Sequence, residues 1–155
     1  MFFFRDKKTS FLRRMGMAKS LGLAVGVFAF FMMPELFGAE IPTHLQWGVL
    51  LWYITFGAFI GLGGVMTEHP LWKSCFIFTS DKWRPFLRGG FFGAWLNFVL
   101  SVLMYETLTD LMLYMEYNPF GDTNIMALLA LEGLIFGSLI DVLSTKFGGE
   151  GKKLL

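Results

Sequence analysis

A carboxyl in the middle of an apolar run is the group in this sequence that most demands a chemical explanation. Glu132 stands inside Ile125–Leu143, where the only other charge is Asp141 near the end. An ionised carboxylate at the centre of a membrane helix costs roughly 2.5–3.5 kcal/mol on insertion scales. Such a group is paired, protonated, set in a wet cavity or turned toward a partner subunit. The chemistry it permits is a proton or cation relay; its structural use is a hydrogen bond to a neighbouring helix, with Asn97, Thr55 and Tyr53 as candidate partners. Gly93, Asn97 and Ser101 recur every four residues and give a second apolar run one small, polar face. An Asn on such a face bonds an adjacent helix at about 0.6–2 kcal/mol. Glu132, Asn97 and Ser101 together form the candidate polar or ion path. Asp141 follows Gly133 and Gly137 on one face and has Arg84, Arg88 or Lys146 as charge partners; a structural salt bridge, with Arg88 as partner, is expected of it rather than catalysis.

The remaining reactive groups assemble no reaction centre. His44 and His69 fall in connections expected on opposite sides of the membrane, so they share no metal. Glu68-His69-Pro70 with Cys75 is an imaginable nucleophile and base, but no Gly-x-Ser-x-Gly, paired-acid or metal-ligand spacing accompanies it. One cysteine excludes an internal disulfide and any multi-cysteine zinc or iron–sulfur site built from this chain alone. The ten methionines are scattered, which suits gap-filling between helices better than copper conduction. The expectation is no catalytic residue, no metal and no cofactor.

The elements that must position these groups are membrane helices. A 155-residue chain that is 55% hydrophobic and 16% charged lies outside the soluble average and points to lipid as its solvent. Four apolar stretches, Ser20–Phe37, Trp47–Met66, Phe86–Tyr105 and Ile125–Leu143, each approach the ~20 residues that cross a hydrocarbon core as a helix. Gly38–Gln46 and Glu116–Asn124 read as tight turns, and Thr67–Pro85 as a membrane-skimming loop. The predicted fold class is all-α: an integral membrane four-helix bundle of two helical hairpins. Residues 1–19 form a basic arm suited to the interface with anionic headgroups, 20–145 a single transmembrane domain and 146–155 a basic tail. Helical patterning of the third span runs on to Tyr117, which predicts a protruding extension.

Orientation follows from the thirteen Lys and Arg, whose near-zero net balance of +1 hides their segregation. They cluster in the N-terminal arm, in the central loop with its flanks, and in the tail, whereas Glu35, Glu40, Glu106, Asp110, Glu116 and Asp122 gather at the other ends. Basic residues mark the inside, so both termini are expected there. The first span also has the pattern of a secretory signal peptide, but Phe37-Gly38-Ala39 is a poor cleavage site and the span is retained as a helix. Trp47, Trp52, Trp72, Trp83 and Tyr117 are expected as interfacial anchors.

Every span carries a glycine pair at four-residue spacing: Gly22/Gly26, Gly57/Gly61, Gly89/Gly93 and Gly133/Gly137. Glycines so spaced share one face and let two backbones approach, which replaces the hydrophobic drive that lipid lacks with van der Waals contact. The expectation is tight crossing toward the inner ends. Thr55–Val65 and Leu131–Asp141 also align glycine over glycine, a pattern open to a tandem duplication or to convergence on ordinary membrane-helix composition.

Small size and glycine-rich spans resemble the small four-helix carriers and the fluoride channels. A carrier of that kind implies a carboxylate in its first span, and Ser20–Pro34 contains none. A fluoride channel implies a Thr/Ser/Phe-rich run in the third span, where this chain has Phe91-Phe92-Gly93-Ala94-Trp95-Leu96-Asn97-Phe98. The expected function is a small non-catalytic membrane subunit or scaffold; the alternative is an oligomeric channel or transporter with its path near Glu132 and Asn97. Expected partners are the bilayer and other membrane subunits or further copies of the chain, not nucleic acid. The expected location is a bacterial inner membrane, with a mitochondrial inner membrane as the alternative.

Overall fold

Apolar runs of this length satisfy every backbone N–H and C=O internally only as helices, the form that hydrocarbon accepts. In the computed structural model, which describes residues 11–37, 41–66, 83–105 and 124–150, four such helices appear. They are α1 (Phe11–Phe37), α2 (Thr43–Met66), α3 (Arg84–Leu103) and α4 (Ile125–Gly148). Each is long and apolar enough to cross a membrane, and the chain is a multi-pass membrane protein.

Local chemistry sets several helix ends. Pro85 lies in the first turn of α3, where its missing N–H would have had no helical partner. Asn124 caps α4, its side chain accepting the Met126 N–H at 2.9 Å. Gly149 ends α4 at φ 87°, a left-handed conformation in which any Cβ would be strained.

The helices differ from the hydropathy pattern at their ends. α1 begins at Phe11 rather than Ser20, so the second half of the basic arm is helix continuous with the first span. A hydropathy boundary treats Arg14 as a stop, whereas in the folded chain its charge is neutralised inside the bundle. α4 likewise runs to Gly148, carrying Lys146 on an exposed position of its last turn. α3 ends at Leu103, where Met104 leaves helical geometry at φ −114° and ψ 25°. α2 begins at Thr43 rather than Trp47, so Thr43–Gln46, read as part of the first turn, is helix. The expected extension from Glu106 to Tyr117 lies outside the described residues, as do His69 and Cys75 of the central loop, residues 38–40 of the first turn and 116–123 of the second.

α1 packs closely on α2, and α3 on α4. The backbones touch at the glycines. A Cβ on Gly22 would strike the Tyr53 carbonyl and come within 3.1 Å of the Gly57 Cα, and one on Gly57 would strike the Ala18 carbonyl. In the other pair, a Cβ on Gly93 would strike the Gly133 carbonyl and lie 3.0 Å from the Gly137 Cα, and one on Gly89 would strike the Gly137 carbonyl. Contacts that descend along one helix as they rise along the other make both crossings antiparallel. Gly26 meets Leu50 and Tyr53, and Gly61 meets Met15 and Ala18. All eight glycines of the four pairs therefore face a neighbouring helix of the same chain.

Between the two pairs lies a core of Ala18, Phe56, Ile60, Phe92 and Ile140, flanked by Leu21, Trp52, Leu96 and Phe136. Large side chains hold the pairs apart at the centre while glycines draw each pair together. The outer faces carry Phe28, Phe31, Leu51, Trp95, Phe98 and Leu103, exposed to the degree that lipid rather than water requires.

Candidate functional site

At the end of the bundle where α1 and α3 begin and α2 and α4 finish, three charged side chains meet with no solvent exposure: Arg14, Arg88 and Asp141. Arg88 reaches Asp141 with both arms of its fork, Nε to Oδ2 at 2.7 Å and Nη2 to Oδ1 at 3.0 Å. That bidentate geometry is the strong form of the Arg–carboxylate pair. Arg14 Nη2 donates to Asp141 Oδ1 as well. Arg14 then spends its other donors across the fold, with Nε on the Gly61 carbonyl of α2 at 3.0 Å and Nη1 on Thr145 Oγ1 at 2.6 Å and the Gly149 carbonyl at 3.2 Å. Arg88 adds Glu150 Oε2 at 3.1 Å and Thr145 Oγ1 at 3.2 Å. Two guanidinium groups thus balance two carboxylates, and one cluster touches all four helices.

Burial of these ions is tolerable because each is paired and hydrogen-bonded; an unpaired one would be costly. The carbonyl end of α4, which carries partial negative charge, faces the Arg14 guanidinium through Gly149. Among the described residues no buried side-chain nitrogen or oxygen lacks a partner.

Of Arg84, Arg88 and Lys146, Arg88 makes the contact with Asp141, and Arg14, from the first helix, joins it. A signal for Arg14 exists in the sequence. Arg14, Ala18, Gly22 and Gly26 recur every four residues, so the arginine stands on the small-residue face that packs inward.

A second polar layer crosses the bundle near its middle. Trp52 Nε1 of α2 donates to Asn97 Oδ1 of α3 at 3.1 Å, and Asn97 Nδ2 donates to the Leu129 carbonyl of α4 at 3.1 Å. Asn97 therefore uses both ends of its amide to join three helices. Beside it, the Tyr53 hydroxyl donates to Glu132 Oε1. Thr55 bonds back to the Leu51 carbonyl of its own helix at 2.9 Å, and Ser101 to the Phe98 carbonyl at 2.7 Å. Asn97 and Glu132 thus flank the adjacent Trp52 and Tyr53, while Ser101 turns to its own backbone. Ser138 ties α4 to the Phe86 carbonyl of α3 at 2.9 Å.

Trp52, expected as an interfacial anchor, turns its N–H toward the inside of the bundle. Its ring packs 6.2 Å from Phe56, centroid to centroid, and its N–H is claimed by Asn97. The indole is half-buried and its N–H stays bonded, with the mid-bundle amide as acceptor.

No family model, no curated protein and no solved structure matches this chain. Its chemistry is therefore read from its own side chains. Among the described residues no group of three His, Cys, Asp or Glu is placed to hold a metal ion.

The mid-bundle layer gives a direct expectation. Asn97→Leu removes a donor and an acceptor that serve two other helices, at a cost of about 0.6–2 kcal/mol. Trp52→Phe removes one of the same bonds, so the double variant is expected to lose less than the two single losses combined. Denaturant titration of the purified protein in detergent micelles checks both.

Proposed function

We propose that this chain is a small, non-catalytic integral membrane subunit or scaffold, made of two helical hairpins with both termini on the inner side of a bacterial inner membrane. The observation that carries the reading is the use made of its polar side chains. Arg14, Arg88, Asp141, Asn97, Trp52 and Ser138 are each spent on another helix, and a chain built this way is organised to hold its shape rather than to transform a substrate. The basic segments favour placing the ionic end of the bundle on the inside. A mitochondrial inner membrane suits the same charge pattern.

Because the paired glycines face helices of the same chain, contacts with partner subunits fall on the bulky outer faces. α3 offers Phe91, Trp95, Phe98 and Val102, each more than two-fifths exposed, at helical spacing along one side. Mild solubilisation followed by native mass analysis is expected to recover the chain in a larger membrane assembly. A lone monomer under conditions that preserve known membrane complexes would remove the proposal.

A second reading, an oligomeric channel or transporter, is favoured by Glu132, a carboxyl in the middle of a span. Under that reading reconstituted protein conducts a cation or proton, and Glu132→Gln abolishes the flux. Under the scaffold reading the parent protein gives no flux above empty liposomes.

A further inference from the structure

Glu132 differs from the other carboxyl inside the described bundle in having no cation beside it. Asp141 holds both interior guanidinium groups, and at 1.5 Å per residue along α4 it lies roughly 13 Å from Glu132. From α2 the group facing Glu132 is Tyr53, which donates its hydroxyl to the carboxyl. α3 contributes Asn97, already engaged with Trp52 and Leu129. α1 contributes Arg14, which is bound at the ionic end. Among the described residues the carboxyl therefore has one neutral hydrogen-bond partner and no counter-charge.

Its surroundings decide what state that partner can support. Glu132 is half-buried at the seam between α2 and α4, where the Tyr53 and Phe136 rings pack with centroids 5.9 Å apart. Its neighbours Leu131 and Ile135 are each 54% exposed, so the open side of the seam faces hydrocarbon in a membrane. One hydrogen bond does not replace the hydration of a carboxylate in such a place, whereas the neutral acid needs little more than that bond.

We propose that Glu132 and Tyr53 form a proton-binding site open to the lipid, in which the carboxyl is held as the neutral acid and is the point of attack for a lipid-soluble carbodiimide. The reaction needs that acid. Its proton passes to one carbodiimide nitrogen, and the carboxyl oxygen bonds to the central carbon, consuming one C=N bond. The acyl group then shifts from oxygen to the second nitrogen to leave a stable N-acylurea. Nothing departs, so the protein gains the mass of one whole reagent. The site stands independently of any transport and of the subunit reading.

The test is dicyclohexylcarbodiimide added to the full-length protein in phosphatidylcholine vesicles at neutral pH, read by intact-protein mass and peptide mapping. One adduct on Glu132 is expected. Glu132→Gln, whose amide oxygen still accepts from Tyr53, loses it while eluting as the parent does. Tyr53→Phe, which leaves the carboxyl in the hydrocarbon, keeps it. A water-soluble carbodiimide leaves Glu132 unmodified. An unmodified parent protein, an adduct of equal yield in Glu132→Gln, or equal modification of Glu132 by the water-soluble reagent would each overturn the proposal.

Discussion

Asp141→Asn is expected to destabilise the bundle by about 3–5 kcal/mol, the range for removing one partner of a buried ion pair. The reason is arithmetic of charge. Asp141 has no solvent exposure and accepts from both Arg14 and Arg88, which are equally buried. With the carboxylate gone, two buried guanidinium groups face each other, and among the described residues Glu150, itself 32% exposed, is the carboxylate left beside them. Their hydrogen bonds to Thr145 and to the carbonyls of Gly61 and Gly149 stay in reach but supply no full charge. The informative comparison is the triple variant Arg14→Met, Arg88→Met, Asp141→Leu, which removes every buried charge of the cluster. Buried ion networks replaced by apolar groups of similar volume often keep or gain stability. The triple variant is therefore expected to unfold at a higher denaturant concentration than Asp141→Asn alone, a reversal that simple loss of contacts does not produce.

Gly93→Val is expected to have the other large effect, for a reason that lies in backbone rather than charge. A Cβ at that position would strike the Gly133 carbonyl and lie 2.9 Å from its carbonyl carbon, with the Gly137 Cα at 3.0 Å. Neither neighbour is the end of a flexible side chain, so α3 and α4 must move apart. Overpacking of a well-filled site costs typically about 1–3 kcal/mol. Separation also stretches the Asn97 bond to the Leu129 carbonyl, which adds to the loss. An alanine series grades the same effect. Gly93→Ala and Gly133→Ala meet backbone; Gly61→Ala meets the movable Met15 sulfur at 2.8 Å and is milder. Gly16 and Gly48 have nothing within 4 Å, so alanine there is expected to be neutral or stabilising by up to about 1 kcal/mol from helix propensity. Unfolding titrations across the five positions check the order.

These two features were unequally visible in the sequence. Glycine spacing is local, so each inward face could be read from its own span. Which face meets which could not, because all four spans carry the same motif and only the folded chain shows Gly22 against Gly57 and Gly93 against Gly133. The spans were visible for the same local reason, as runs of apolar residues. Their ends were not, since hydropathy treats a charge as a boundary, and Arg14 is a charge whose cost disappears through partners far along the chain. Arg14 and Asp141 come from opposite ends of the sequence, and no short-range pattern records their meeting. Asp141 with Arg88 was more accessible because each flanks a glycine series on its own helix. Trp52 shows the limit of reading by type: a tryptophan near a span end suggests the interface, and only the position of Asn97 reveals the acceptor for its N–H inside the bundle. Glu132 announced itself by being a carboxylate in an apolar run, yet its partner had to be chosen among three residues that sequence spacing alone does not rank.

A buried charge pair joins α1 to α4, and a double-mutant cycle between Arg14 and Asp141 measures that link. Arg14→Met, Asp141→Leu and the double variant are unfolded alongside the parent in the same detergent. A change of sign is expected: Arg14→Met destabilises the parent, where it removes a partner of Asp141, and stabilises the Asp141→Leu protein, where it removes a buried charge that has lost its carboxylate. The coupling between the two should lie in the range of about 0.5–3 kcal/mol found for residues in contact. Two effects that simply add, within about 0.5 kcal/mol, would mean that Arg14 and Asp141 do not meet and that the helices are held by other means.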